Sequence, residues 1–417
     1  MQTPIETLLW IALALWTCAA PTSAGNLQYV VVNRTPGGRW HQGRPETITS
    51  EGFDEIRSAV AAPDHTAIRL GVSFIFSYLE TDEPVLLTSL KRFLAAAQQT
   101  RTPVLIKLDG ENWWSRRPDL WNWWDPNLPG YDPANSANVE WTGWGPEHAV
   151  KIAWRNWGRK IRVAPPPNLM SPRYRDICRQ KMQLLIPVIR EWYENLPVSD
   201  KHLFIGLNVG WESSICVNAW YYPDGNNLLS SPPADDPQTG LDVADVTARG
   251  QVQLGYGALT AAGIRTQGTI TEADLVEVVR RHLTDLSRTA LECGLAREHI
   301  FTHGAGWHEA ELLYDAAVNE YSCPGWSFYR HAADPAQDQG VRRALLASNA
   351  KHWGASEWLL MQPHELDLWY TAMKKTLDDP RCRFLCIYNW RGIKDSPNVL
   401  RAISTLISDA AGGQSGN

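Results

Sequence analysis

The feature that most restricts the fold is a repeated alternation of short apolar segments, rich in β-branched residues, with stretches that carry helical signals. Gln28–Asn33 (QYVVVN) predicts a first strand and Ser50–Ala61 a helix. Ala67–Phe76 (AIRLGVSFIF) predicts the second strand, followed by a helix over Pro84–Ala97 that a proline opens. Pro103–Leu108 is the third strand and His202–Val209 the fourth, with helices at Arg173–Asn195 and Thr271–Cys293 closing the stretches after them. Compact units follow: strands at His299–His303, Pro324–Tyr329, His352–Ser356 and Arg383–Asn389, and helices at Gln339–Ala350, Pro363–Leu377 and Asn398–Ala410. Eight such strand–helix units predict an α/β fold of the (β/α)₈ TIM-barrel type. The strands are apolar without strict alternation, as a parallel sheet covered on both faces requires. An open doubly wound sheet is the alternative, but no Gly-rich dinucleotide fingerprint follows an early strand.

Two long insertions interrupt the pattern, one after strand three and one after strand four. Both are βα loops, so both rise from the C-terminal face, where barrel active sites lie. Residues 25–411 read as a single catalytic domain and 412–417 as a frayed tail. Residues 1–24 read as a signal peptide. Leu8–Ala20 is apolar but too short to span a bilayer, and Pro21-Thr22-Ser23-Ala24 forms a small-residue cleavage site near Ala24. A secreted or periplasmic protein is expected, with no membrane span after cleavage. Export permits disulfides among Cys178, Cys216, Cys293, Cys323, Cys382 and Cys386, although Cys382 and Cys386 share one predicted strand and do not suit each other. Asn33-Arg34-Thr35 is a glycosylation sequon, relevant only in a eukaryotic host.

Twenty-one residues are tryptophan, and nine of these fall between Trp113 and Trp157, in the first insertion. An indole is a flat apolar plate with one N–H donor, suited both to a core and to stacking on a sugar ring or a nucleobase. The net charge of −6 and the lack of a basic stripe around the cluster argue against nucleic acid, where phosphate neutralisation dominates binding. A carbohydrate is the expected partner. No cofactor is implied, and no cysteine spacing reads as a zinc site. Asp125 and Asp132 are oxygen ligands of the calcium type at a spacing that is not diagnostic. No G-x-S-x-G elbow is present, which speaks against a serine hydrolase.

Polar residues just past a barrel strand are the candidates for chemistry. Strand three leads into Asp109, Glu111, Asn112, Trp113 and Trp114. Strand four carries Asn208 and leads into Trp211 and Glu212. Strand five ends at His303 with Trp307 beyond, strand six carries Trp326 and Tyr329, strand seven leads into Glu357 and Trp358, and strand eight into Trp390. Strands four and seven lie across the mouth from one another, and each ends in a Glu flanked by Trp. Two carboxyls aimed into one mouth are the requirement of glycoside cleavage: one protonates the leaving oxygen and the other attacks the anomeric carbon.

A barrel with a Glu after strand four and another after strand seven resembles clan A of the glycoside hydrolases. The resemblance implies a retaining mechanism with Glu212 as acid/base and Glu357 as nucleophile. It also implies a stacking role for Trp390 under the cleaved sugar. The clan usually places Asn immediately before its acid/base; this chain has Trp211 there, and Asn208 lies within the strand. Asp109, Glu111, Asn112, Trp113, Trp114, Asn208, Trp211, His303, Trp326 and Trp358 complete the expected substrate contacts. Asp109 and Glu111 are equally open to loop capping or to a reserve catalytic role, and His303 to a satisfied barrel-top position. A non-catalytic carbohydrate-binding barrel is the competing reading, with the carboxylates serving as hydroxyl acceptors.

Overall fold

The computed structural model describes residues 27–34, 40–156, 160–215, 217, 219–229, 250–306 and 308–412. The signal-peptide reading of residues 1–24 and the expectations for Trp157, Cys216, Trp307 and residues 413–417 lie outside the described residues.

Eight parallel strands close into a barrel. They are β1 (Gln28–Arg34), β2 (Ile68–Ser77), β3 (Val104–Asp109), β4 (Phe204–Ser213), β5 (Ile300–Gly304), β6 (Gly325–Phe328), β7 (Trp353–Trp358) and β8 (Cys382–Tyr388). Each pairs with its neighbours in the sequence, and β8 closes on β1. Helices α1 (Ser50–Val60), α2 (Glu83–Gln99), α3 (Pro172–Asn195), α4 (Glu272–Glu292), α5 (Gln339–Ala347), α6 (Leu366–Leu377) and α7 (Pro397–Gly412) lie outside it. Between β5 and β6 the described chain forms only a 3-10 turn at Leu312–Ala317, so that unit departs from the expected strand–helix pair. The two most informative boundary shifts are at β4 and β7, which run four and two residues further than the sequence pattern suggested, through Ser213 and Trp358. No helix among the described residues is long and apolar enough to cross a membrane.

Period-two alternation turns the barrel lumen into layers. Tyr29, Val31, Leu105, Ile205, Phe301, Phe384 and Cys386 form an apolar plug distinct from the larger core between strands and helices. One step further along the strands the inward side chains become polar. Ser73 donates to Asn33 Oδ1 at 2.7 Å, Lys107 Nζ to the Ser356 carbonyl at 2.5 Å, and Asn208 Nδ2 to Ser356 Oγ at 2.9 Å. The next inward step brings Asp109, His303 and Tyr388 to the mouth, since each lies two residues beyond Lys107, Phe301 or Cys386. Asn33 is wholly buried in this lumen, so its side chain is not open to a glycosyltransferase in the folded state; Thr35 of the sequon lies outside the described residues.

The first insertion folds largely on itself. Buried asparagines satisfy its irregular backbone: Asn122 Nδ2 donates to the carbonyls of Asp125 and Leu128, and Asn138 Nδ2 to that of Leu120. A small antiparallel sheet joins the insertions, with Ala153–Asn156 between Lys160–Val163 and the two-residue strand Ala219–Trp220. That sheet carries Arg155 towards the barrel mouth, opposite Ala219. The described cysteines 178, 293, 323, 382 and 386 are free thiols.

Candidate active site

Glu212 and Glu357 both sit where sheet register breaks. The β4–β5 pairing shifts between Val209 and Ser213, and the β6–β7 pairing between Ala355 and Glu357. Bulges of this kind re-aim side chains at barrel rims. At β4 the distortion is pronounced: Gly210 has φ +79° and Glu212 φ +50°. A left-handed backbone costs a side-chain-bearing residue about 1–2 kcal/mol, and the surrounding sheet holds it there.

The two carboxyls belong to one buried cluster. Glu212 is 7% exposed and Glu357 2%. Ser327 Oγ donates to Glu212 Oε1 at 3.0 Å and lies 2.9 Å from His303 Nε2, which in turn lies 3.8 Å from Glu357 Oε2. These contacts set the two carboxyls no more than about 10 Å apart, which admits both the retaining and the inverting separation of glycoside cleavage. Glu357 Oε2 accepts from Trp211 Nε1 at 3.0 Å, and Oε1 accepts from the Tyr329 hydroxyl. Burial, and then the charge of Glu212, push the Glu357 carboxyl up to about 8. Lys107, Tyr329 and Trp211 pull the other way. Two close carboxyls resist double ionisation, so the pair retains one proton near neutrality. Burial raises the Tyr329 and Tyr388 phenols, and the two glutamates raise them further, which keeps both as neutral hydroxyls.

Glu212 also lines a small cavity, together with Glu111, Asn112, Glu140, Arg155, Trp211 and Ser214 among others. Its volume of ≈ 20 Å³ is room for about one water molecule. Burial lowers the Arg155 guanidinium, while Asp109, Glu111 and Glu212 favour its charged form. Burial pushes Glu140 up to about 8; its Oε2 accepts from the Gly255 amide at 3.1 Å.

The remaining candidates divide sharply. Asp109 is a loop cap: its Oδ1 accepts from the amides of Glu111 and Asn112 at 2.9 and 3.1 Å, and burial raises it to about 6. Glu111 accepts from Ser213 Oγ at 2.6 Å and meets His282 Nε2 at 3.1 Å. Asn112 ties the loop to β4 through the Trp211 carbonyl. Trp113 is half-buried. Asn208 is wholly buried, its Nδ2 donating to the Thr302 carbonyl on β5 and to Ser356 Oγ on β7 while its Oδ1 has no hydrogen-bond partner. Trp114, Trp326 and Trp358 are corrections: all three are fully buried, with their N–H groups on the carbonyls of Pro165, Tyr314 and Ala332. In β6 and β7 the residues next to inward-facing ones point outward beneath the helices, which places Trp326 and Trp358 in the outer core. Trp390 is also buried, to about the same degree as Trp211 and Glu212, with its N–H 3.2 Å from Glu55 Oε1. Asp125 and Asp132 each cap their own turn, accepting from Asn127 and Ala134 amides at 2.9 Å. Among the described residues no group of His, Cys, Asp and Glu has metal-binding geometry.

Four contributors were not singled out by the sequence: Ser327, Tyr388, Lys107 and Arg155. Tyr388 carried a usable signal, two residues after an inward cysteine. Arg155 carried none, because nothing in an irregular insertion marks which side chain reaches the mouth.

No family model matches the sequence, and no curated protein matches it. Solved structures to which the chain is similar include GH26A from a Muricauda species, at 9% identity and TM-score 0.40, covering 91% of this chain and 90% of that one. PbGH5A, a glycoside hydrolase family 5 enzyme from Prevotella bryantii, is similar at 10% identity and TM-score 0.42, covering 92% and 97%. The YdhT protein from Bacillus subtilis is similar at 11% identity and TM-score 0.42, covering 93% and 85%.

Proposed function

We propose that the protein is a retaining glycoside hydrolase acting on an oligo- or polysaccharide, with Glu212 as acid/base and Glu357 as nucleophile. The observation that carries the reading is the pairing of two buried carboxyls from β4 and β7 whose hydrogen-bond partners differ in kind. Glu357 receives an indole N–H, which can only donate, and a phenol that donates to it. Donors on both oxygens offset part of the burial that raises the Glu357 carboxyl and so favour the carboxylate a nucleophile needs. One contact of Glu212 is with a serine hydroxyl, which either donates or accepts and so permits both the acid and the base form.

With the shared proton on Glu212, that residue protonates the glycosidic oxygen while Glu357 attacks the anomeric carbon. The C–O bond to the leaving group breaks and a glycosyl ester forms on Glu357. Water then gives its proton to Glu212 and displaces the ester. Export by way of the leader at residues 1–24 is part of the same proposal.

The test is hydrolysis of a panel of aryl glycosides and polysaccharides by the wild type and by Glu357→Gln. The expected result is turnover by the wild type and a loss of about 10⁴-fold or more in the variant, with melting temperature and sugar binding retained. Wild-type-like hydrolysis by the variant overturns the assignment. Sugar binding without turnover by the wild type selects the non-catalytic binding barrel.

A further inference from the structure

Strand β7 turns two consecutive side chains, Ser356 and Glu357, into the barrel. Period-two alternation allows only one of them, and the bulge supplies the other. Ala355 is paired with Trp326 and Glu357 with Ser327, so Ser356 is the extra residue against β6. Its hydroxyl donates to the Thr302 carbonyl on β5 at 3.1 Å and accepts from Asn208 Nδ2 on β4 at 2.9 Å. Its carbonyl accepts from Lys107 Nζ on β3 at 2.5 Å. Gly325 on β6 leaves the room for this clamp, since a Cβ there would lie 2.5 Å from Ser356 Oγ. Lys107 is 2% exposed, and a buried ammonium is costly where an apolar side chain would fill the same space. We propose that Lys107 is a positioning residue for Glu357: it grips the Ser356 carbonyl, which keeps the bulge turning Glu357 into the mouth, and it sets a fixed positive charge at the peptide that joins the two residues. The inference deepens the glycosidase reading of this site and rests on it for the effect on turnover, though not for the effect on Glu357 itself.

The carbonyl that Lys107 holds belongs to the planar peptide unit from which Glu357 departs, so fixing that plane fixes the direction of the Glu357 side chain. From the surrounding elements Glu357 faces Lys107 on β3, Trp211 and Glu212 on β4, His303 on β5, Tyr329 past β6, and Cys386 and Tyr388 on β8. Burial raises the Cys386 thiol and the two phenols and lowers the imidazole, which holds all four neutral. Burial and then Glu212 raise the Glu357 carboxyl, and Lys107, the cation of this set, opposes them. Burial comes ahead of Lys107 in keeping His303 neutral, so loss of Lys107 brings no replacement charge from β5.

The experiment pairs a carbon-13 NMR titration of the Glu357 carboxyl in the full chain with the pH dependence of kcat and KM. Lys107→Met keeps the length of the side chain and removes its donor and its charge. The Glu357 titration then moves up by about one pH unit or more. The acidic limb of kcat/KM, which needs ionised Glu357, moves up with it, and kcat near neutrality falls by about tenfold or more while KM holds, because Lys107 lies below the carboxyls and out of reach of a sugar. At a pH above the titration of both proteins, the Trp211 indole N–H resonance of Lys107→Met still moves upfield, as its bond to the displaced Glu357 lengthens. Lys107→Arg, which keeps the charge and a donor, stays close to the wild type in both readings. Lys107→Gln, which is neutral, moves the titration as far as methionine does and is the variant to read where Lys107→Met does not fold. An unmoved Glu357 titration or an unmoved Trp211 resonance overturns the proposal, as does an arginine variant that shifts as far as the neutral ones. A role in packing alone lowers the melting temperature without moving the titration, and also overturns it. The NMR readings need no turnover, so failure of the glycosidase reading is seen separately.

Discussion

Tryptophan does two different jobs in two regions of this molecule. In the insertion after β3, indoles fold the loop: Trp114, Trp121, Trp123 and Trp141 give their N–H groups to the carbonyls of Pro165, Trp114, Val150 and Ser136. Trp121 and Trp124 stack on each other at 5.4 Å, and Trp123 meets Trp124 edge-on. At the barrel mouth, Trp211 instead gives its N–H to the buried carboxylate of Glu357. A loop this long has little helix or sheet to satisfy its carbonyls, and indole supplies apolar area and a donor in one side chain. The same chemistry beside a titratable group tunes that group. Density of a residue type in the sequence therefore marks where structure needs it, and the isolated copy at a strand end is the one that meets the paired carboxyls.

The same substitution made in each region separates the two jobs. Trp211→Phe has the largest expected effect. It keeps the ring and removes a donor that lowers the Glu357 pKa, so Glu357 ionises at still higher pH. The acidic limb of kcat/KM, which requires ionised Glu357, moves to higher pH, and kcat/KM near neutrality falls by about 10–100-fold. An unmoved acidic limb would erase the distinction between the regions. Trp114→Phe leaves the pH profile alone and costs about 1–3 kcal/mol of stability, because the buried Pro165 carbonyl loses its donor. Trp123→Phe, at a half-buried position, costs about 1 kcal/mol or less, and denaturant melts check both values. A shift of pH profile in either insertion variant would place that loop in the site.

Much of this arrangement was legible in the sequence. Most of the strands were visible as apolar runs because a parallel sheet covered by helices buries both faces, while the sixth and seventh carried a weaker pattern. Glu212 and Glu357 stood out because strand-end position and chemistry coincide. The extensions of β4 and β7 were not legible: both strands continue past a break in register, and Gly210 with Glu212 in left-handed conformations hides the continuation from any regular period. Trp326 and Trp358 misled for a related reason. They sit beside the inward Ser327 and Glu357, so an error of one residue exchanges core and lumen. Ser327 gave no signal because a small hydroxyl matters only through what it touches. The sequence placed tryptophans above the mouth, but which of them are spent on their own loop depends on where each indole N–H finds a carbonyl.

The central claim is that Glu357 becomes covalently bonded to a sugar. The most direct measurement is mass spectrometry of peptides after treatment with a 2-deoxy-2-fluoro glycoside of a sugar that the hydrolysis panel identifies. Fluorine destabilises the oxocarbenium-like transition state and slows release of the intermediate. The account predicts one added glycosyl unit on the peptide carrying Glu357, none in Glu357→Gln, and loss of the label when turnover resumes. Hydrolysis of the parent glycoside with no label on Glu357, or with the label on another carboxylate, contradicts it.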